Sequence, residues 1–468
     1  MEPVATHDDS WLTKGDDQEI LRSESRIPYR VGYLPGSTMN GSAICSRDLV
    51  MSFASTARRR SLVFLTAGAV VAGFGVVVTS TAAAVEPCAS KVTNLTLDST
   101  QRFASGGRLK RYDATVNYPD GSPGTWRDQR AKILLAKYPS TAYPTVLNVN
   151  IGVQKKIGEM VKAQQPQAVG AINGDFSAKP TIRGKTFNIA RGPIIKNGRI
   201  IRAGHKLQRV VGVDTANQPV AGLMGVRGNI QSGTSPIVSL QGVNWQTVRD
   251  GGVTIYTRDW NASTATPRPA GTAEWVINGR NRIKTVRTST LNAGQRGAPV
   301  ALGTRVIAFG TQVASVARGG VVGTKVNLNV RQHTDSGVKL QSALGRGLPL
   351  VENGVAAPLG CDAYRDKSAR PRTMIGWTQT GTWATVTVPG KLFTGPGLRN
   401  GGFGLSNEAA IAKKFGLYNA YELDGGGSTT LYTRSNGGQW TRRDLYGLDT
   451  STGTYEREVR NGFAFLVP

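Results

Sequence analysis

Apolar and polar residues alternate along much of the chain beyond residue 85, in short runs separated by glycine-containing turns. Clear runs lie at 145–153, 306–317, 325–332 and 382–390, and they are rich in valine, threonine and other strand-forming residues. An apolar side chain at every second position places one face of a strand against a core. We therefore predict that these runs are strands and that strands dominate the fold.

Two segments instead show the spacing of apolar residues that is expected for helices. The first, 153–164, has its apolar residues on one face and ends just before Pro166. The second, 406–415, begins with Ser406 as the predicted N-cap and is followed by Gly416. Serine satisfies free amides at a helix start, and glycine readily adopts the conformation that ends a helix. Together the patterns predict an α+β fold with a strand-rich mixed sheet core and a few helices.

The first 84 residues have the character of a targeting segment rather than of a folded domain. Residues 51–84 combine three arginines at 58–60, an apolar run at 62–79 and small residues at 82–84, which are the three parts of a secretory signal. We interpret 51–84 as a signal peptide and predict that the protein is secreted or associated with the cell envelope. It would contact a membrane only if the 62–79 segment stays uncleaved.

Residues 1–50 show no clear periodicity, and we interpret them as an extension upstream of the natural start, with a long cytoplasmic leader as the alternative. The remainder is predicted to divide into an N-terminal β-rich portion, 85–150, and a main domain, 151–468. Beyond the signal the cysteines are Cys88 and Cys361. Two cysteines in an exported chain suggest one disulfide between them.

The chain is strongly basic, with 57 Lys and Arg against 30 Asp and Glu and a formal net charge of +27. Such an excess favours anionic partners, among them an acidic envelope polymer, a phosphate-bearing substrate or nucleic acid. Nucleic acid is the weakest of these because the basic residues are scattered and no recognised binding module is present. The chain holds 3 His and no Cys-x-x-Cys pair, which argues against a zinc site.

The segment 421–432, YELDGGGSTTLY, has residues suited to chemistry. A strand ending at Asp424 would place that carboxylate beside three glycines, whose amides can converge on an anion. The hydroxyl side chains that follow add further donors. The residues expected to bind substrate here are Gly425, Gly426, Gly427, Ser428 and Thr429. The alternative is a tight β-hairpin whose turn carries polar side chains.

Two further segments carry polar residues that could join this one in a site. Residues 169–176, VGAINGDF, read as an apolar strand that ends in Asn173 and Asp175, although an ordinary Asn-Gly turn also explains the pattern. Residues 370–376, RPRTMIG, contain Arg372. Arginine binds phosphate through two parallel hydrogen bonds, but on a basic protein a single arginine is more often solvated.

Taken together, these segments resemble the phosphodiester glycosidase family, which includes N-acetylglucosamine-1-phosphodiester α-N-acetylglucosaminidase. The matched segments are 172–176, 243–257, 350–354, 371–376, 404–410, 423–429 and 457–464. They occur in the family's order between about residue 145 and the end of the chain, and the Leu-Asp-Gly-Gly-Gly-Ser segment is the most specific. The sequence departs from the family pattern at Ser177, where a second aromatic residue is usual, and this puts one wall of a sugar pocket in doubt.

The resemblance implies an enzyme, a hydrolase that cleaves a sugar-1-phosphodiester at the anomeric carbon and releases the sugar and a phosphomonoester. The expected catalytic residues are Asp424, Asp175, Arg372 and Glu408. The two aspartates would serve as nucleophile or base and as holders of sugar hydroxyls, with the assignment between them open. Arg372 and the glycine segment would bind the phosphate, and Asn173 would bind the sugar.

Two other functions are alternatives on the sequence alone. One is a secreted module that binds an anionic wall polymer without turnover, which the net charge of +27 favours. The other is a metal-dependent phosphodiesterase, in which Asp175 and Asp424 would hold one Ca²⁺ or Mg²⁺. No cofactor is expected for the glycosidase, apart from that possible single ion, and its metal ligands are unknown. The expected partner is a sugar phosphodiester or an anionic envelope glycopolymer.

Overall fold

The structure, a computed structural model, describes residues 91–119, 126–182, 185–260, 266–268, 271–288, 297, 299–357, 370–389, 402–444 and 456–468. The predicted extension and signal peptide lie outside these ranges, and so do Cys88 and Cys361 with their predicted disulfide. In the described part of the chain, no helix combines the length and apolarity needed to cross a membrane. The bounds of the four predicted segments, 1–50, 51–84, 85–150 and 151–468, stay predictions.

Strands predominate among the described elements. The helices are α1 Ile157–Gln164, α2 Ala314–Arg318 and α3 Leu405–Lys414. The strands are β1 Lys91–Arg102, β2 Arg108–Pro119, β3 Trp126–Lys137, β4 Tyr143–Asn148, β5 Gly170–Asn173, β6 Ser177–Ala178, β7 Thr181–Ile182, β8 Lys185–Thr186, β9 Ile189–Ala190, β10 Ile194–Lys196, β11 Arg199–Gly204, β12 Gln208–Asp214, β13 Pro219–Ser232, β14 Val238–Val243, β15 Val253–Tyr256, β16 Glu274–Asn278, β17 Ile283–Arg287, β18 Thr304–Phe309, β19 Val326–Thr334, β20 Leu340–Gly345, β21 Pro349–Glu352, β22 Val355–Ala356, β23 Arg372–Trp377, β24 Trp383–Val388, β25 Asn419–Glu422, β26 Leu431–Arg434, β27 Trp440–Arg442 and β28 Asn461–Leu466. The strand-rich character with few helices is therefore confirmed.

The predicted strand runs are mostly occupied by strands. The runs at 325–332 and 382–390 are mostly occupied by β19 and β24, and β4 occupies the run at 145–153 only as far as Asn148, so the prediction of a strand over 149–153 is wrong. The run at 306–317 is a strand only as far as Phe309, where β18 ends, and the chain then turns into α2. The prediction of a strand beyond Phe309 is wrong, because the buried Ala314 and Ala317 stand three positions apart and therefore have helical spacing.

Both predicted helices exist, but their first residues differ from the prediction. α1 begins at Ile157 rather than at 153. α3 is preceded by Gly404 as its N-cap, and no side chain caps it, so the prediction of Ser406 as N-cap is wrong. Leu405 is 2% exposed and packs in the core, which places it in the first turn and moves the helix start ahead of the serine.

Three large sheets carry the fold. The first sheet has the order β1-β2-β3-β24-β23-β25-β21-β22, and the third sheet has the order β27-β26-β5-β28-β4. The second sheet has the order β17-β16-β18-β15-β14-β11-β10-β20-β12-β13-β19. Because β13 also pairs with β14, the strands β14, β11, β10, β20, β12 and β13 close into a ring.

Strands from the two ends of the described chain lie side by side. β3 pairs with β24 in the first sheet, with Leu135 opposite Val386. β4 pairs with β28 in the third sheet, with Val146 opposite Phe463. The early strands are thus integral to the same sheets that carry the late segments.

The three sheets share one hydrophobic core. Its buried members include Leu134 and Trp383 from the first sheet, Val211 and Leu344 from the second, and Ile172 and Phe463 from the third. α3 covers the opposite face of the first sheet, and α1 covers the opposite face of the third. The ends of β5, β20 and β25 and the starts of β23 and β28 meet at the border of the shared core, and the candidate site lies there.

Candidate active site

The glycine-rich segment connects two different sheets. β25 ends at Glu422 and pairs with β21 and β23 in the first sheet, whereas β26 begins at Leu431 and pairs with β5 and β27 in the third. The tight hairpin considered from the sequence is therefore wrong. Asp424 lies on the crossing between the sheets, and its amide donates a hydrogen bond to the Gly174 carbonyl oxygen at 2.9 Å.

Asp175 follows the end of β5 and is held from several sides. Its amide donates to Asn461 Oδ1 at 2.8 Å, and its Oδ2 accepts from the Gly192 amide at 2.5 Å. The residue is 7% exposed. A Cβ atom on Gly345, at the end of β20, would lie 2.7 Å from the Asp175 Cγ, so only glycine allows this close approach. Strands of the second and third sheets and the loop at Gly192 therefore surround this carboxylate.

The two aspartates both have raised pKa values. Burial raises the pKa of Asp175 to about 7; the Gly192 amide opposes the rise, and the charge of Asp424 adds to it. Burial also raises the pKa of Asp424 to about 6, and the nearby Ser428 hydroxyl opposes that rise. Two interacting carboxyl groups that titrate near neutrality can divide the roles of base and acid between them.

Asn173 links the two aspartate segments and is fully buried. Its Nδ2 donates to the Asp424 carbonyl oxygen at 2.6 Å. Its Oδ1 accepts from Thr373 Oγ1 at 2.9 Å and from the Thr430 amide at 3.0 Å. Both acceptor positions of Oδ1 are thus occupied by the protein, and only the second hydrogen on Nδ2 is left for the predicted contact with a sugar.

Arg372 is buried and engaged within the protein. Its Nη1 lies 3.3 Å from Glu422 Oε1, and its Nε donates to the Phe403 carbonyl oxygen at 2.8 Å. Glu422 is 2% exposed and accepts from the Leu348 amide at 3.3 Å. Arg372 therefore belongs to an internal ion pair beside the glycine segment, which limits the predicted role of its guanidinium in binding phosphate.

The three glycine amides are not equally available to a ligand. The Gly426 amide donates to the Pro371 carbonyl oxygen at 2.8 Å, and Gly426 has a φ of 59°, a conformation that favours glycine. The Gly425 amide stabilises the ionised form of Asp424. Among the described residues this leaves the Gly427 amide for a ligand, so the anion nest predicted from three amides is smaller than expected.

The remaining predicted site residues are buried. Ser428 is 3% exposed and Thr429 is 6% exposed, and the Thr429 hydroxyl has no hydrogen-bond partner within the described ranges. Glu408 is 0% exposed and lies in the first turn of α3, where the helix amides favour a negative charge. The predicted roles of these three residues stay predictions.

Three residues that the sequence did not assign also border the carboxylates. Arg202 lies with its guanidinium 4.1 Å from the Trp245 ring centroid, and it favours the ionised form of Asp175. Arg460 interacts electrostatically with Asp424, and Asn461 holds the Asp175 amide. Asn461 lies within the matched closing segment, so the resemblance could have pointed to it. For Arg202, the signal in the sequence was a charged residue between the apolar residues of β11.

A large cavity of about 1460 Å³ lies away from these residues, against strands of the second sheet, and none of the predicted site residues lines it. Its basic lining residues include Arg199, Arg258, Arg331 and Lys339. The acidic lining residue, Asp259, is 3.0 Å from Arg199 Nη2 in an ion pair. This basic cleft offers no free carboxylate among its described residues, so the two buried aspartates are the better candidates for acid-base chemistry.

Asp175 and Asp424 are also the carboxylates that a cation at this site would need. In the described part of the chain, no group of three or more His, Cys, Asp and Glu side chains is arranged to hold a metal ion. The next carboxylate, Glu422, is engaged by Arg372. An ion held by Asp175 and Asp424 would take its other ligands from backbone oxygens or water.

Comparison with known proteins bears on the late part of the chain. The model of the phosphodiester glycosidase family matches residues 271–466. The predicted resemblance is confirmed over that segment. The match to phosphodiester glycosidases includes Arg372, Glu408, Asp424 and Arg460, whereas Asn173 and Asp175 lie before it. No curated protein matches the chain.

Solved structures share the fold at low sequence identity. A protein of Burkholderia pseudomallei K96243, described as a "Putative exported protein", has a TM-score of 0.59 at 15% identity, with 80% of this chain and 96% of that chain covered. A Synechocystis protein described as hypothetical has a TM-score of 0.55 at 17% identity, with 81% of each chain covered. The zebrafish N-acetylglucosamine-1-phosphodiester α-N-acetylglucosaminidase catalytic domain aligns at 14% identity over 81% of this chain and 88% of that one. Its TM-score of 0.35 is too low to show a shared fold.

Proposed function

We propose that this protein is a secreted hydrolase that cleaves the glycosidic C–O bond of a sugar-1-phosphodiester. The observation that carries the proposal is the meeting of Asp175 and Asp424, which are far apart in sequence, at the junction of the three sheets, where burial raises the pKa of both. The family match over residues 271–466 supports a glycosidase rather than another hydrolase. The fold neighbours alone do not indicate a reaction.

In the proposed chemistry the two carboxyl groups have different roles, because one is ionised and the other is protonated. Asp424 has the lower pKa, about 6, and acts in its ionised form on the anomeric carbon or on the attacking water. The C–O bond breaks, its electrons leave with the phosphate oxygen, and the water oxygen forms the new bond to the anomeric carbon, either directly or by displacing Asp424 from a covalent sugar ester. Asp175, with a pKa of about 7, is protonated more readily and donates a hydrogen bond to the sugar or to the departing oxygen. A phosphate is a good leaving group, so strong acid assistance is not required.

The proposed substrate is a sugar phosphodiester within an anionic glycopolymer of the cell envelope. The net charge of +27 supports a polyanionic partner outside the cell, and the basic cleft along the second sheet offers a surface for such a chain. Attraction between exposed charges is screened by salt. A polymeric substrate is therefore expected to show a KM that rises with ionic strength, whereas a small neutral aryl glycoside would not.

Incubation of the full chain with a panel of sugar-1-phosphodiesters in ¹⁸O-labelled water tests this function. We expect free sugar and a phosphomonoester without ¹⁸O, since C–O cleavage leaves the phosphate oxygens unchanged. Label in the phosphate, together with loss of activity in excess chelator, would instead establish a metal-dependent phosphodiesterase. Tight binding of the polymer without any product would establish the binding module.

The pH dependence of the reaction follows from the two aspartates. The rate requires ionised Asp424, so it rises as the pH passes about 6, and protonated Asp175, so it falls as the pH passes about 7. We expect a narrow maximum of kcat/KM near pH ~6.5. In Asp175→Asn the fall on the alkaline side should disappear, while the rise on the acid side remains. An unchanged profile in that variant would contradict the assigned roles.

A further inference from the structure

Arg460 is a buried arginine that donates no hydrogen bond to the described part of the protein. It is 5% exposed, and its Nε, Nη1 and Nη2 atoms make no hydrogen bond within the described ranges. Among the described residues it forms no ion pair either. The residue immediately precedes β28, which begins at Asn461. A buried guanidinium normally pairs with a carboxylate, because removing the charge from water without compensation is costly.

The neighbours of Arg460 belong to the candidate active site. Asn461 uses its Oδ1 to accept from the Asp175 amide, whereas its Nδ2 has no hydrogen-bond partner in the described part of the chain. The backbone of β28 continues beside β5, with Gly462 opposite Asn173. Unpaired donors on two consecutive residues therefore lie where the segments of both aspartates meet.

The other buried arginines near the site are already engaged. Arg372 contacts Glu422 and the Phe403 carbonyl oxygen. Arg202 donates to the Asn244 carbonyl oxygen at 2.7 Å and to Gln246. Arg460 thus differs from both, because the described protein supplies none of the acceptors that its five N–H groups require.

We propose that Arg460 and Nδ2 of Asn461 form a binding site for a phosphate group beside Asp424. The site takes a tetrahedral phosphate dianion or the phosphate of a diester, because a guanidinium fork and an amide can bind three of its oxygens. This site adds a phosphate-binding residue to the proposed function. That the bound phosphate is the leaving group rests on the proposed function. Binding of phosphate itself does not depend on which bond is cleaved.

The charge state of Arg460 suits this role. Burial lowers its pKa to about 10, and the neighbouring Asp424 opposes the fall. The guanidinium is therefore protonated throughout the neutral range. Asp424 interacts with Arg460 electrostatically but accepts no hydrogen bond from it, so a bound phosphate would supply the acceptors that this carboxylate does not.

Titration of the full-length protein with inorganic phosphate by calorimetry at pH 7 tests the site. We expect Arg460→Met to weaken phosphate binding by about 10- to 100-fold, as loss of hydrogen bonds to a charged group implies. Arg460→Lys should retain part of the affinity, because it keeps the charge but not the fork. Arg227→Met, which removes the same charge from an exposed position on β13, should bind phosphate as the wild type does.

Thermal unfolding of the same variants separates ligand binding from a structural role. Removal of an uncompensated buried charge is expected to leave the melting temperature of Arg460→Met equal to or above that of the wild type without phosphate. A marked fall in that temperature, or wild-type phosphate affinity in Arg460→Met, would overturn the proposal, as would absence of phosphate binding by the wild type. Phosphate binding through Arg460 without sugar release from any diester would leave this site standing and refute the proposed function.

Discussion

Replacing Asp424 with asparagine is expected to lower the rate of sugar release from a sugar-1-phosphodiester by about 100- to 10 000-fold. The reason is that Asn keeps the shape and the backbone contacts of the residue, including the 2.9 Å bond from its amide to the Gly174 carbonyl oxygen, but cannot act as base or nucleophile. The measurement is kcat/KM for the full chain and the variant at pH ~6.5, between the two aspartate pKa values.

The same variant should not be less stable than the wild type. Burial raises the pKa of folded Asp424 to about 6, above its value in the unfolded chain, so ionising it in the folded state costs stability. That cost is absent below the unfolded pKa of about 4 and develops as the pH rises through the folded value. The melting temperature of Asp424→Asn is therefore expected to match the wild type at pH 4 and to equal or exceed it at pH 8.

An exposed aspartate provides the matched control. Asp98 on β1 is 45% exposed and 3.8 Å from Lys132, and Asp98→Asn should change neither the rate nor the pH dependence of stability. Full activity in Asp424→Asn would remove this residue from the mechanism. Loss of activity together with a lower melting temperature at every pH would indicate a structural rather than a chemical role.

Arg372→Met is expected to destabilise the protein by about 3–5 kcal/mol. The substitution removes the cationic member of the ion pair with Glu422, which is 2% exposed and stays buried. Breaking one side of a buried pair costs more than the pair itself contributes, because the remaining charge is uncompensated. The free energy of unfolding in urea at pH 7 is the measurement.

Two further variants make this expectation specific. The double variant Arg372→Met with Glu422→Gln should recover much of the lost stability, since the buried carboxylate is then replaced by a neutral amide. Arg199→Met breaks the 3.0 Å pair with Asp259, but the Arg199 side chain is 70% exposed, so a change of about 1 kcal/mol or less is expected. Equal losses for Arg372→Met and Arg199→Met would mean that the buried pair has no special importance for the fold.

Local periodicity predicted the strand-rich class and most of the strand positions that were tested. It failed at 310–317 and at the start of α3, where the choice depends on packing rather than on the local pattern. Small residues such as Ala314 fit either a strand or a helix, and the burial of Leu405 decided which residue begins the helix. In both places the tertiary contacts outweighed the local signal.

The sequence by itself determined which segments are candidates for the chemistry, because motifs such as the Leu-Asp-Gly-Gly-Gly-Ser segment are local and place Asp424 and Asp175 just after predicted strands. Only the tertiary structure decided how the charges are paired: it joined Arg372 to Glu422 and placed Arg460 near Asp424 with no hydrogen bond to the described residues. The physical reason is that burial and pairing of a charge depend on strands of three sheets that are distant in sequence. No pattern within a single segment reports which of several arginines will find its acceptor inside the protein.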